Sequence, residues 1–303
     1  MNEKVGEVTL NYSFYKGTDL YSDGEIEDKL LEIVTRCDNE EEIYQELLIN
    51  DEWPVLYHLS PIRHNILEWY DFDKNASILE IGAGCGAISG LFCQKLDRVV
   101  ALDLSKKRSL INANRNKRYK NLEIIVANFE DVAIDEKFDY VSLIGVLEYA
   151  IYYIDSPKPF VDMLKKVKEF LKPGGKLLLA IENKYGLKYW AGATEDHTGN
   201  LFDGIQGYEN VERVRTFSKG SLEKLLREAG FEKCDFYYPY PDYKLPLEIF
   251  SEESIPQKGD IKTAAPSYDR DRISLFNEVQ AFDSICEDGL FEEFANSFLV
   301  IAK

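Results

Sequence analysis

Residues 78–90 read ILEIGAGCGAISG: an apolar run enters glycines at 82, 84 and 86 and is followed by Ile88, Leu91, Phe92 and Leu96 at helical spacing. This strand–turn–helix unit constrains the fold more than any other feature. Glycine lets the backbone reverse and approach a ligand closely, and the helix start behind it favours negative or polar groups. Downstream, apolar runs alternate with helical patterns, as expected of a parallel sheet covered by helices. Strands are predicted at 77–81, 98–102, 122–127, 140–146, 176–181, 231–238 and 297–302. Between them, 160–171 carries a helical stripe that Pro173, Gly174 and Gly175 should close, and 218–230 reads as a helix from Ser218 to Gly230. The expectation is an α/β doubly wound, seven-stranded mixed sheet.

Three stretches fall outside this alternation. Residues 1–56 are acidic and partly helical, with Ile26, Leu30, Ile33 and Val34 on one face. Residues 183–217 are polar and glycine-rich, and 244–296 contain one plausible helix through Leu275, Val279, Phe282 and Cys286. Loops this long in a compact domain are usually functional or disordered. The organisation expected is an accessory segment (1–56), a core (57–243) with the 183–217 insertion, a cap insertion (244–296) and a final core strand (297–303). With 303 residues, 45% of them hydrophobic, the chain can bury one full core plus an accessory element.

Cysteines at 37, 85, 93, 234 and 286 form no CxxC pair and are odd in number, against a zinc site or an oxidised framework and for a cytoplasmic setting. The start MNEKVGEVTL has no leader pattern, and no apolar run approaches the roughly 18 residues of a transmembrane segment. A net charge of -18 repels phosphates, so no nucleic acid partner is expected. The exception is a run holding Lys106, Lys107, Arg108, Arg115, Lys117, Arg118 and Lys120, readable as a solvated helix face or as an anion-binding surface.

GAGCGA, residues 82–87, satisfies the dinucleotide pattern G-x-G-x-x-G/A, and Asp103 stands 21 residues after Gly82, where a ribose-binding acid belongs. An NAD(P)-dependent oxidoreductase is therefore one reading. Glu80 weighs against it, because a carboxylate at the strand end would repel a pyrophosphate and welcome a cation such as a sulfonium amino acid. No second glycine-rich phosphate loop follows the fourth strand.

LEIGAGCG, VVALDLS, VANFED, FDYVSLIGVLEY, LKPGGKLLLA and SLEKLLREAGF occur in that order, and with them the chain resembles the class I, Rossmann-like S-adenosylmethionine-dependent methyltransferases. The resemblance implies that Gly82, Ala83, Gly84 and Gly86 bring backbone against the methionine and ribose of S-adenosylmethionine. Glu80 would hold its amino group and Asp103 its ribose hydroxyls. Leu104 and Phe129 would pack on adenine and Asn128 meet its amine, although Phe129 reads equally as a core residue. Ile144 and Gly145 would lie near the methyl group. YHLSPIRHNILEWYDF, residues 57–72, looks like the helix that precedes this fold, with Arg63 as a partner for the methionine carboxylate or as a surface arginine.

The sulfonium is already an electrophile, so the protein must align an acceptor, exclude water and, for a hydroxyl, remove a proton. His197, in GATEDHTGN after the fifth strand, is the preferred general base, with Asp196, Glu182 and Glu148 as alternatives. Many relatives have histidine where Tyr149 stands. No histidine pair has metal-ligand spacing; carboxylates leave metal dependence open, but nothing in the sequence favours a metal. The tyrosines of YYPYPDYKLP, residues 237–246, and of ENKYGLKYWAG, residues 182–192, suit a sugar ring or an ordinary edge strand. With these segments the chain looks like methyltransferases associated with bacterial cell-surface polysaccharide glycosyltransferases. That resemblance implies O-methylation of a saccharide or nucleotide-sugar acceptor, with a glycosyltransferase as partner. A different reading is a non-catalytic, cofactor-binding subunit of a glycosyltransferase assembly.

Overall fold

The structure is a computed structural model that describes residues 2–19, 22–209, 214–268 and 270–303. It divides into two units, Met1–Leu143 with Glu169–Lys176, and Ile144–Lys168 with Leu177–Lys303. The described residues form ten strands: β1 Asn2–Val5, β2 Val8–Asn11, β3 Ser77–Ile81, β4 Arg98–Asp103, β5 Leu122–Val126, β6 Phe138–Ile144, β7 Leu171–Glu182, β8 Cys234–Tyr240, β9 Glu248–Ser251 and β10 Ser297–Ala302.

In the first unit the strand order is β1-β2-β5-β4-β3-β6. From β2 to β6 the strands are parallel, with Leu10 opposite Ile124, Ile125 opposite Leu102, and Leu79 opposite both Val100 and Val141. β3 is buried at all five positions, which explains its unbroken apolar run. In the second unit the order is β7-β10-β8-β9, all antiparallel, with Leu299 opposite both Ala180 and Tyr237. Its core is aromatic: the Tyr238 ring packs on Phe291 and Phe298, and that of Tyr240 on Phe282.

Where seven strands are expected, the described residues thus form ten. β1 and β2 are four residues each and β1 is largely exposed, so little apolar periodicity advertises them. They form an antiparallel pair across Gly6, at φ +58, where a Cβ would meet the Lys117 carbonyl oxygen at 2.3 Å. β9 follows the turn after β8 and pairs with it. The Pro173-Gly174-Gly175 stretch lies inside β7 instead of ending a helix. Gly174 takes φ +79, and a Cβ on Gly175 would meet the carbonyl oxygens of Lys172, Asp139 and Phe138 at 3.0–3.1 Å.

The basic run is only in part the solvated face expected: Lys106, Arg118 and Lys120 are exposed, while Lys107, Arg108, Arg115 and Lys117 are packed or paired. The helix Lys106–Arg115 packs against the helix Ile26–Arg36 around Leu30, Ile33, Val34 and Ile111. Its cations meet acids of the N-terminal segment: Lys107 pairs with Asp28 at 2.6 Å, Arg108 with Asp23 and, at 3.0 Å, with Glu27, while beyond the helix Lys117 pairs with Asp38 at 2.9 Å. Asp19 accepts from Ser105 Oγ at 3.1 Å and from the Lys106 and Lys107 amides at 2.9 and 3.3 Å, capping the helix start. The segment 57–72 is likewise not one helix. Ser60-Pro61 breaks it into Trp53–Leu59, Pro61–His64 and Asn65–Glu68, because the proline ring disfavours a helical residue before it.

Candidate active site

In the first unit β3 delivers the chain into a loop where Gly82, Gly84 and Gly86 take φ +71, +53 and +76, the left-handed region that glycine enters without a Cβ penalty. The Gly82 and Ala83 amides donate to the Leu102 carbonyl at 2.8 and 3.1 Å, and the Gly84 amide donates to Asp103 Oδ2 at 2.8 Å. Asp103 Oδ1 accepts from the Ser105 amide at 2.9 Å. The carboxylate at the end of β4 therefore braces the loop, and each of its oxygens keeps capacity for a further donor. Burial raises its pKa. Gly86 has a packing reason of its own, since a Cβ there would meet Asn112 Oδ1 at 2.3 Å.

Glu80 is 6% exposed, and Ser89 Oγ donates to its Oε2 at 2.6 Å. Burial pushes its pKa up to about 8 despite that bond, so the free protein holds a neutral carboxyl that a cation would ionise. Arg63 is buried, not a surface arginine, with its guanidinium 4.5 Å from the Tyr57 ring centroid. Leu104 is half-buried after β4, and Asn128 Oδ1 accepts from the Glu130 amide at 3.2 Å. Phe129 takes a core position, its ring 5.9 Å from that of Phe170.

The second unit gathers all the candidate bases. His197 Nδ1 lies 3.0 Å from Tyr149 Oη, and its Nε2 lies 3.5 Å from Glu182 Oε2. One ligand-type atom from each of Glu148, Glu182 and His197 falls within 4.8 Å of the others. Glu182, at the end of β7, accepts from Lys244 Nζ and, at 3.3 Å, from Tyr243 Oη. Burial opposes ionisation, but Lys244 and then His197 hold Glu182 well below the usual carboxylate range. Burial would lower His197, yet the Glu182 charge raises it to about 9. Burial and the Glu182 charge raise Glu148. Asp196 does different work. Lys188 at 3.0 Å, Lys244 at 2.9 Å and the Tyr189 hydroxyl all bind it, and the two lysines keep it ionised against burial, which makes it an ion-pair partner and a poor proton acceptor.

Ile144 and Gly145 end β6 within this same unit. Gly145 has φ +68, its amide donates to the Ala180 carbonyl at 2.9 Å, and a Cβ there would meet Tyr243 Oη at 2.8 Å. The strand end is thus one hydroxyl away from Glu182.

Sequence reasoning passed over Lys188, Lys244 and Glu195. Glu195 Oε2 accepts the His197 and Thr198 amides at 2.8 and 2.7 Å, and its Oε1 accepts from Tyr208 Oη at 3.0 Å, which fixes the His197 loop. Both lysines sit in aromatic runs, GLKYW and PDYKLP, where aromatic content drew attention away from them. The available signal was charge balance, because a segment that buries several acids needs buried cations. The tyrosines of residues 237–246 are mainly core: Tyr238, Tyr240 and Tyr243 are 0%, 4% and 2% exposed and form no sugar platform. Among the described residues no helix is long and apolar enough to cross a membrane.

Comparison with known proteins resolves the choice that the glycine loop leaves open. A family model described as "Methyltransferase domain" matches residues 55–234, more than half of the chain. The mitochondrial ubiquinone biosynthesis O-methyltransferase of Dictyostelium discoideum is 34% identical over 126 residues, 36% of this chain and 36% of that protein. A bifunctional methyltransferase of Rickettsia conorii is 28% identical over 211 residues, 60% of this chain and 40% of that protein. The chain thus spans less than half the length of these curated relatives. A crystal structure of a SAM-dependent methyltransferase from Archaeoglobus fulgidus aligns over 82% of this chain and 94% of that one, with a TM-score of 0.48 and 14% identity. On the family match, the chain belongs to the methyltransferase-domain family, the S-adenosylmethionine-dependent methyltransferases.

Proposed function

We propose that this protein transfers the methyl group of S-adenosylmethionine to a hydroxyl of a saccharide or nucleotide-sugar acceptor. The observation that carries the reading is the convergence, in the second unit, of His197, Glu182 and Glu148 beside the Gly145 end of β6. The residues of the first unit fit the cofactor. The buried, neutral Glu80 carboxyl suits an ammonium group, and Asp103 keeps acceptor capacity for ribose hydroxyls. The bound sulfonium supplies an activated methyl group. The chain's own residues do the rest. Glu80, Asp103 and the glycine loop bind and orient the cofactor, and His197, once it has shed the proton that the Glu182 charge holds on it up to about pH 9, receives the acceptor's proton. Tyr149 holds the imidazole and Glu195 the backbone of its loop, while Lys244 holds Glu182 charged.

The saccharide class is supported by Trp190, 40% exposed, and half-buried Tyr185, which flank the segment leading to His197. It also follows the likeness to methyltransferases of polysaccharide glycosyltransferase systems, and a glycosyltransferase partner is part of the proposal. Incubation with methyl-labelled cofactor and a panel of sugars, nucleotide sugars and amines tests it. Label in a base-stable O-methyl ether supports the reading, and label only on nitrogen contradicts it.

A further inference from the structure

We propose that Glu148, Glu182 and His197 form a binding site for one divalent first-row cation, Mn2+ or Zn2+. Glu148 Oε2, Glu182 Oε2 and His197 Nε2 are buried and have no hydrogen-bond partner among the described residues. Glu148 and Glu182 are 1% and 0% exposed, and an unpaired buried polar atom costs about 1–3 kcal/mol, more when charged. That these three residues also bring ligand atoms within 4.8 Å of one another makes the vacancies one feature. In the metal-free protein the Glu182 charge holds a proton on His197, whose Nε2 lies 3.5 Å from Glu182 Oε2, and a cation bound among the three residues would displace that proton.

The surroundings are those of a metal site. His197 Nδ1 is engaged by Tyr149 at 3.0 Å, which orients the ring and leaves Nε2 as the ligand nitrogen. Glu182 uses its other oxygen for Lys244 and Tyr243, so Oε2 is held towards the cluster. Each ligand comes from a separately fixed segment: the turn after β6, the end of β7, and the loop tied down by Glu195. This is why histidine spacing in the sequence gave no sign of it.

One imidazole with two carboxylates suits Mn2+ or Zn2+ better than Ca2+ or Mg2+, which favour oxygen alone. Bonds of about 2.0–2.2 Å require the ligand atoms to draw together, within reach of side-chain rotation. The inference rests on the reading of this centre as the place where the acceptor is handled; the ion would take the place of the His197 proton there, hold the acceptor oxygen and lower the pKa of its hydroxyl so that the proton passes to water.

The test is a Mn2+ titration of the chelator-treated full chain, read by the loss of the free-ion electron paramagnetic resonance signal. One saturable ion per chain is expected. Glu148→Gln and His197→Ala should each weaken binding at least tenfold while leaving S-adenosylhomocysteine affinity within twofold, which shows that both variants are folded. No saturable binding of Mn2+ or of Zn2+, or wild-type affinity in both variants, overturns the inference. Methyl transfer at full rate in excess chelator overturns the ion's task and leaves the proposed methyl transfer standing. Stoichiometric ion binding with labelled methyl found only on nitrogen supports the ion site and overturns hydroxyl methylation.

Discussion

Glu80 illustrates how one carboxyl can be read at the residue scale. Its neighbours Gly82 and Asp103 made it a candidate in the sequence, but only burial shows that it is neutral below about pH 8 in the free protein. Binding an ammonium group must expel that proton. S-Adenosylhomocysteine affinity should therefore rise between pH 6 and 8, by up to about tenfold per unit, and then level off. Calorimetry in buffers of different ionisation enthalpy should register close to one proton released at pH 6.5, and Glu80→Gln should abolish that release. A pH-independent affinity would contradict the assignment. Asp103→Ala removes a carboxylate that binds two loop amides, and charge-assisted bonds of this kind contribute about 1.5–3 kcal/mol each. Cofactor affinity should fall at least tenfold. These acids were legible because they stand at fixed offsets in one local motif. His197, Glu182 and Glu148 were legible singly, from chemistry alone. Their meeting was not, since it depends on loops whose conformation Glu195, Asn183 and Asn296 set through hydrogen bonds to backbone.

Elements with strong periodicity were read correctly. Ser218 caps the helix Lys219–Glu228 through the Ser221 amide, and Gly230 takes φ +94 beyond its end. Short or exposed elements were missed, as β1, β2 and β9 show, because four residues carry too little pattern to outweigh their polar content. The basic run was misread for another reason. Its partner is acidic sequence some 80 positions away, Arg108 with Glu27 being 81 apart, and composition cannot pair them. The pairs are unequal in weight. Glu27 is fully buried, so Arg108→Ala should lower unfolding stability by about 3 kcal/mol in urea titrations. Lys117→Ala opens a pair whose Asp38 side chain is 81% exposed and should cost less than about 1 kcal/mol. Equal effects from the two substitutions would show that the N-terminal segment is not held through the buried ion pair.

At the scale of the whole molecule, the proposed function assigns cofactor binding and proton removal to separate sets of residues, Glu80 and Asp103 in the first unit and His197, Glu182 and Glu148 in the second. Their loss should separate experimentally. His197→Ala and Glu182→Gln should lower turnover at least a hundredfold with cofactor affinity nearly intact, whereas Asp103→Ala acts first on affinity. Retention of full turnover by His197→Ala would remove it from the proton-accepting centre. The α/β class and the cofactor could be read from ordered motifs, but the antiparallel half of the fold and its buried ion network could not. The account rests most heavily on the cofactor site, and calorimetric titration of the purified chain with S-adenosylhomocysteine and, separately, with NAD tests it most directly. The account predicts saturable binding of S-adenosylhomocysteine at one per chain, weakened by Asp103→Ala, and no heat from NAD. Binding of NAD alone would contradict it.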